Sequence, residues 1–242
     1  MSTPAPAGFE ERLAQTRAAL RQLASEYQHV ALASSLAAED MVLTDLIAQM
    51  QLPFAIFTLD TGRLHAETLG MIDSIRQRYG IEVARYQPQA EAVQAHVAAH
   101  GEFAFYDSVE LRKECCRIRK VEPLGRALAG CDAWITGQRR AQSQTRSELA
   151  LIEHDAAHDN IKANPLADWS EEDVWHYLKH EKVPYNPLHD KGYPSIGCEP
   201  CTRAIQPGED IRAGRWWWEQ ADSKECGLHI VDGKIVRIKA AA

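Results

Sequence analysis

Short apolar runs alternate with longer segments of helical periodicity as far as Gly137, and that alternation limits the chain to few folds. Phe9, Leu13, Leu20, Leu23 and Tyr27 recur at helical spacing and predict an opening amphipathic helix. His29–Ser35 reads as a buried strand ending in small polar residues, Ala38–Met50 as helix and Phe54–Thr58 as a second strand. His65–Tyr79 is again helical, Val83–Tyr86 a weaker strand and Ala90–His100 a helix. A further helix is expected to begin near Cys115-Cys116 and run through Ala129, with Ala133–Gly137 as a strand after it. Ser170 predicts an N-cap, because Glu171, Glu172 and Asp173 fill the turn that follows. Parallel strands need a crossover, usually a helix. The pattern therefore predicts an α/β fold: a doubly wound, mostly parallel sheet with helices on both faces and ligands at the carboxyl ends of its strands. Beyond residue 184 the chain is rich in Pro, Gly and Trp and loses periodicity, so an irregular C-terminal region and a mobile tail are expected.

With 242 residues, 45% hydrophobic and 25% charged, the chain can bury one sizeable core plus a smaller appendage. Met1–Gly8 lacks the basic start and apolar run of a signal peptide. No stretch approaches the roughly 18–20 apolar residues of a membrane span, so a reducing cytoplasm and no membrane partner are expected. A net charge of −7 argues against a nucleic-acid surface. Cations nevertheless concentrate locally. Arg112, Lys113, Arg117, Arg119 and Lys120 bracket Cys115-Cys116, Arg139, Arg140 and Arg146 crowd one loop, and Arg212 and Arg215 lie further on. Some of these belong to solvated faces, but such focus on an acidic protein suits a small anionic ligand.

Five of the six cysteines fall in an unusual arrangement: Cys115-Cys116, then Cys198-Glu-Pro-Cys201, then a single Cys226. Adjacent Cα atoms lie about 3.8 Å apart, below the usual disulfide range of roughly 4.4–6.8 Å, so a Cys115–Cys116 bridge would be strained. Structural zinc sites prefer ligands spaced two to four residues apart, which suits Cys198 and Cys201 but not the adjacent pair. A [4Fe–4S] cube gives each thiolate its own iron, so the two pairs favour such a cluster over zinc. The plainer alternative makes two of the four buried core cysteines. Cys131 reads as structural. Cys226 lies in polar surroundings beside Gly227, 16 residues before the end. It is either an incidental surface thiol or a nucleophile whose thiolate is favoured by nearby cations. His229 either assists or orients it, or is simply solvated.

Ser34-Ser-Leu-Ala-Ala-Glu-Asp40 has the form of a strand–turn–helix that cradles phosphate, and Leu59-Asp-Thr-Gly-Arg63 ends the second strand where such folds contact ribose or phosphate. Thr136-Gly-Gln-Arg-Arg-Ala-Gln-Ser-Gln-Thr-Arg146 supplies three arginines with hydroxyl and amide donors, a match for sulfate or phosphate oxygens.

These segments, with Arg119-Lys120, Val183-Pro-Tyr-Asn-Pro-Leu-His189, Ser195-Ile-Gly-Cys-Glu-Pro-Cys-Thr-Arg203, Gly214-Arg-Trp-Trp-Trp218 and Glu225-Cys-Gly-Leu-His229, resemble the assimilatory sulfonucleotide reductases. Within them the chain looks like the iron–sulfur branch, adenylylsulfate (APS) reductase. The resemblance implies an adenine nucleotide α-hydrolase-like fold. It also implies conversion of adenylylsulfate and reduced thioredoxin, or a glutaredoxin-like donor, to sulfite and AMP. Cys115, Cys116, Cys198 and Cys201 would ligate a [4Fe–4S] cluster, and Cys226 would form a thiosulfonate. Ser34, Ser35, Asp40 and Asp60 would meet the nucleotide, and Lys120, Arg140, Arg146, Arg212, Arg215 and His229 complete the implied substrate-binding set. The expected divisions are a disordered 1–8, a nucleotide-binding domain over 9–210 carrying the cluster, and a tail over 211–242. A homo-oligomer is also implied. The family commonly has glycine where this chain has Ala37, which requires a negative φ there.

Three rival readings stand beside this one. A reductase for the 3′-phosphorylated nucleotide belongs to a branch without the cluster cysteines. A non-catalytic nucleotide-binding metal sensor would not need Cys226. A ligase that activates its substrate with ATP would need a serine- and glycine-rich pyrophosphate loop, which Ser34–Asp40 resembles poorly.

Overall fold

The computed structural model describes residues 4–142 and 148–219. The expected alternation is present: α1 (Phe9–Glu26), β1 (Val30–Ala33), α2 (Ala38–Gln49), β2 (Ala55–Leu59), α3 (Ala66–Tyr79), β3 (Val83–Tyr86) and α4 (Ala90–His100). Then come α5 (Val109–Cys116), α6 (Glu122–Leu128), β4 (Ala133–Ile135), β5 (Ile152–Asp155), β6 (Asn160–Ala163) and α7 (Glu171–His180). Two elements correct the sequence reading. Cys115-Cys116 closes α5 instead of starting a helix, and a π-helical turn, Arg117–Val121, separates α5 from α6. The β5–β6 hairpin was not anticipated, because its strands are four residues each and alternate too briefly to register.

The sheet runs β3-β2-β1-β4-β6-β5. β1 lies parallel to both β2 and β4, β4 parallel to β6, and β5 antiparallel to β6. From β1 the chain winds outward through β2 and β3, then returns to β4 on the other side of β1. The strand order therefore reverses between β1 and β4, the place where open α/β sheets bind ligands.

The described residues fall into two compact units, the first drawn from Met1–Thr58, Glu67–Ala84 and Gly130–Asn186, the second from Leu59–Ala66, Arg85–Ala129 and Pro187–Ala242. In the first unit, Leu20, Leu23, Leu32, Met41, Leu46, Ile75, Ile135 and Tyr177 are fully buried. Burying each such aliphatic side chain contributes about 1.5–3 kcal/mol before entropy is counted. Polar bonds fix how the helices meet. Asp45 accepts from Tyr79 Oη (2.8 Å) and Tyr177 Oη (2.7 Å), and burial together with that carboxylate raises both phenols' pKa. Arg12 forks onto Asp173 at 2.9 and 2.7 Å, and Asp173 completes the capping box with Ser170. The second unit is organised around Arg112. It is wholly buried, bidentate to Glu219 (2.8 Å twice), with its guanidinium 4.6 Å from the Trp216 ring centre. Removing either partner of such a buried pair typically costs about 3–5 kcal/mol. No helix among the described residues is long and apolar enough to cross a membrane.

Candidate active site

The turn after β1 is held by its own polar groups. Ser34 Oγ accepts from the Leu36 N–H (3.1 Å), while the Ser35 N–H and hydroxyl both donate to Asp40 Oδ2 at 2.6 Å. Leu36 sits at φ +63°, a left-handed conformation that ordinary residues adopt with strain, and its fully buried side chain holds it there. Ala37 has φ −88°, so alanine is accommodated where a glycine was expected. Asp40 lies in the first turn of α2, yet it faces the end of β4 as well, where the Gly137 N–H also bonds to it. A Cβ on Gly137 would stand 2.4 Å from Asp40 Oδ1 and 2.9 Å from Glu39 Cβ. Only glycine lets the β4 loop approach this closely. Burial lifts the Asp40 carboxyl to about 6, against the opposing bonds from Ser35 and Gly137. Beside it, buried Arg139 donates from Nε (3.0 Å) and Nη2 (2.8 Å) to Glu39 Oε1, which Gln142 also reaches at 2.9 Å. The carboxyl ends of β1 and β4 thus carry a braced turn at the switch point, with the N-terminus of α2 behind it.

The second unit gathers the paired cysteines. Cys198 Sγ lies 3.2 Å from Thr61 Oγ1, and the Arg119 guanidinium donates to the Thr61 carbonyl at 2.7 Å. Tyr106 Oη donates to the Pro200 carbonyl at 2.6 Å, bracing the Cys198–Cys201 turn. The thiols feel one another. Negative charge on Cys198 raises both Cys115 and Cys201, and Cys116 raises Cys201 as well. Burial, and then these neighbours, push Cys201 up to about 12. Cys198 goes the other way: burial opposes ionisation, but Lys120, the Thr61 hydroxyl, Arg215 and Arg119 outweigh it and hold the thiol below its ordinary range. The π-helical turn carries Arg119 and Lys120 directly after the adjacent cysteines, and such turns are frequent at functional sites. Among the described residues, no group of three or more His, Cys, Asp or Glu side chains is disposed to hold a single metal ion. Cys115, Cys198 and Cys201 are shifted by cations and by one another, with Cys116 acting on Cys201, and such a set of thiols does fit the donor chemistry of a [4Fe–4S] cube.

The remaining residues singled out from sequence fall in several places. Asp60 is buried. Its carboxyl is held below the usual range despite burial, because Arg85, Gln87 (2.8 Å) and the Gly62 N–H (3.1 Å) bond to it. Its oxygens are therefore turned to bracing the end of β2. Arg140 pairs with Asp168 and donates to the Leu149 carbonyl at 2.8 Å. Arg212 is half-buried, its backbone N–H on Asp210 at 2.8 Å. Arg215 donates to the Ile196 carbonyl (3.2 Å), and its guanidinium is 4.7 Å from the Trp216 ring centre. Cys131 is half-buried and outside the thiol set, its thiol raised by burial. Arg146, Cys226 and His229 lie outside the described residues. Sequence reasoning missed the roles of Thr61, Leu36 and Gly137. For Gly137 a signal existed, a lone glycine after a strand and before an arginine pair.

The fold and the switch-point turn define an α/β protein of the adenine nucleotide α-hydrolase-like class. A crystal structure of phosphoadenylyl-sulfate reductase from Candida auris, in a phosphate complex, superposes with a TM-score of 0.67 at 24% identity, over 85% of this chain and all of that one. The model of the phosphoadenosine phosphosulfate reductase domain matches residues 29–204, and the chain belongs to that family. Among its relatives is a Burkholderia cepacia protein named adenosine 5'-phosphosulfate reductase, 63% identical over 94% of this chain and 90% of that protein. Another of the same name, from Neisseria meningitidis serogroup A, is 57% identical over 93% and 95%.

Proposed function

We propose that this chain reduces adenylylsulfate to sulfite and AMP with electrons from thioredoxin or a glutaredoxin-like donor, as an enzyme of assimilatory sulfate reduction in the cytoplasm. One observation carries the reading: the four-thiol set in its cationic field, in a member of this family whose relatives bear that activity in their names. The functional division is a nucleotide-binding domain over 9–210 and a nucleophile-bearing tail over 211–242, in a homo-oligomer.

Cys115, Cys116, Cys198 and Cys201 would hold a [4Fe–4S] cluster. When bound, it would supply a fixed local charge that orders Lys120 and tunes the field near the sulfate. The Ser34, Ser35 and Asp40 turn suits the nucleotide, with Asp60 acting through the strand end it braces. Lys120, Arg140, Arg146, Arg212 and Arg215 suit the phosphosulfate, where attack by an anion on an anion requires positive charge to offset repulsion. The Cys226 thiolate attacks sulfur. An S–S bond forms as the S–O bond to the phosphate breaks, and AMP leaves with the electron pair. His229 orients or helps ionise this thiol. A thiolate of the donor protein then attacks the Cys226 sulfur and sulfite departs with the bonding pair. The donor's second thiol closes its own disulfide and releases Cys226 as thiolate. The test is mass spectrometry of anaerobically purified protein mixed with adenylylsulfate and no reductant. A sulfonate adduct on the Cys226 peptide is expected, and an adduct elsewhere, or none, would overturn the mechanism.

A further inference from the structure

Among the described residues, the large apolar side chains left exposed are Phe103 (55%), Tyr106 (38%), Leu151 (40%) and Trp217 (41%). Three of these four stand together in the second unit. Tyr106 lies 6.0 Å from Trp217 and 4.4 Å from Trp218, the two tryptophans are 4.8 Å apart, and Phe105 links Tyr106 (4.5 Å) to Phe103 (5.9 Å). The rings are fixed from below. Phe105 and Trp216 are buried, the Arg63 guanidinium lies 5.5 Å from the Phe103 ring centre and 5.1 Å from that of Phe105, and Tyr106 is bonded to Pro200. Arg63 is itself held by the Glu102 carbonyl at 2.8 Å. Clustered aromatic rings with little freedom left to lose are what a protein partner docks on.

The neighbourhood of the patch selects the occupant. The described chain ends at Glu219, directly after Trp217 and Trp218, and Cys226 follows eight positions beyond Trp218. Even fully extended, that tether reaches at most about 29 Å. A protein that delivers a thiol to Cys226 must therefore land within this radius of the patch. We propose that Phe103, Tyr106, Trp217 and Trp218 form the landing surface for the small dithiol protein that regenerates Cys226, which docks through an apolar rim around its own reactive cysteine. The inference rests on the function proposed above and adds the surface by which the reductant is recognised.

The test compares wild type, the double variant Phe103→Ser/Trp217→Ser and the exposed control Leu151→Ser, each confirmed to hold equal iron. Three readouts are taken: the Cys226 adduct in a single turnover, turnover with dithiothreitol, and KM and kcat with thioredoxin. The double variant should raise the thioredoxin KM about tenfold or more, as loss of docking anchors does, with adduct formation and dithiothreitol turnover unchanged. Trp217→Phe, which keeps a ring, should stay near wild type, as should Leu151→Ser. An unchanged thioredoxin KM would overturn the proposal. Equal loss with dithiothreitol would overturn it too, because the patch would then serve the chain's own tail. So would a fall in oligomer mass in the double variant, which would mean a second copy covers the rings. Absence of the adduct in wild type would instead remove the Cys226 reading and this inference with it.

Discussion

The switch-point turn of the first unit is built from backbone held at close quarters, whereas the cysteine cradle of the second is built from side-chain charge. Around Ser34–Asp40, the serine hydroxyls and the Asp40 carboxylate bond inward to the turn itself, and a glycine admits the neighbouring strand end. Around Cys198, Lys120, Arg119 and Arg215 act through their fields on thiols that burial alone would keep neutral. The contrast teaches which perturbation each region can bear. A region built on shape is damaged by one added methyl. A region built on charge bears such changes and fails when a ligand is lost.

The largest effect should come from the second region. Cys198→Ser is expected to abolish both bound iron, read by iron analysis and visible absorption, and sulfite formation, while Cys131→Ser leaves both intact. Full iron in Cys198→Ser would break the four-thiol reading. Next comes proton linkage in the first region. The folded pKa of Asp40, about 6, lies above its ordinary 3.8, so its contribution to stability is complete below pH 3.8 and is lost as pH rises through 6. The stability of wild type relative to Asp40→Asn, from anaerobic urea unfolding, should fall by about 2.4 kcal/mol from pH 4 to pH 7. A flat difference would mean that the bonds from Ser35 and Gly137 fully offset burial. The smallest effect is steric. Gly137→Ala forces a Cβ against Asp40 and should cost about 2 kcal/mol of stability and weaken AMP binding, with iron content unchanged. Iron loss in that variant would show that the two regions do not fail independently.

The alternation of strand and helix was readable because α1 through α4 carry long, regular patterns. The paired cysteines were readable because two tight pairs stand out in the sequence itself. Other features depend on contacts distant in sequence. Nothing near Leu36 announces a positive φ, since the strain is held by burial that the rest of the fold supplies. Nothing near Arg140 announces Asp168 beside it, nor anything near Asp60 the bonds from Arg85 and Gln87, because these partners lie 25 or more residues away. A π-helical turn has no apolar period of its own, so Arg117–Val121 passed as ordinary helix.

That wide turn has a consequence for how the gene can change. Rewound at 3.6 residues per turn after a one-codon deletion, the stretch would turn through nearly the same total angle, so the helix from Glu122 onward would keep its phase relative to Cys115 and Cys116. Arg119 and Lys120, inside the wide turn, are the residues whose direction would change. The surplus residue aims the two cations and leaves the helix that follows where it was.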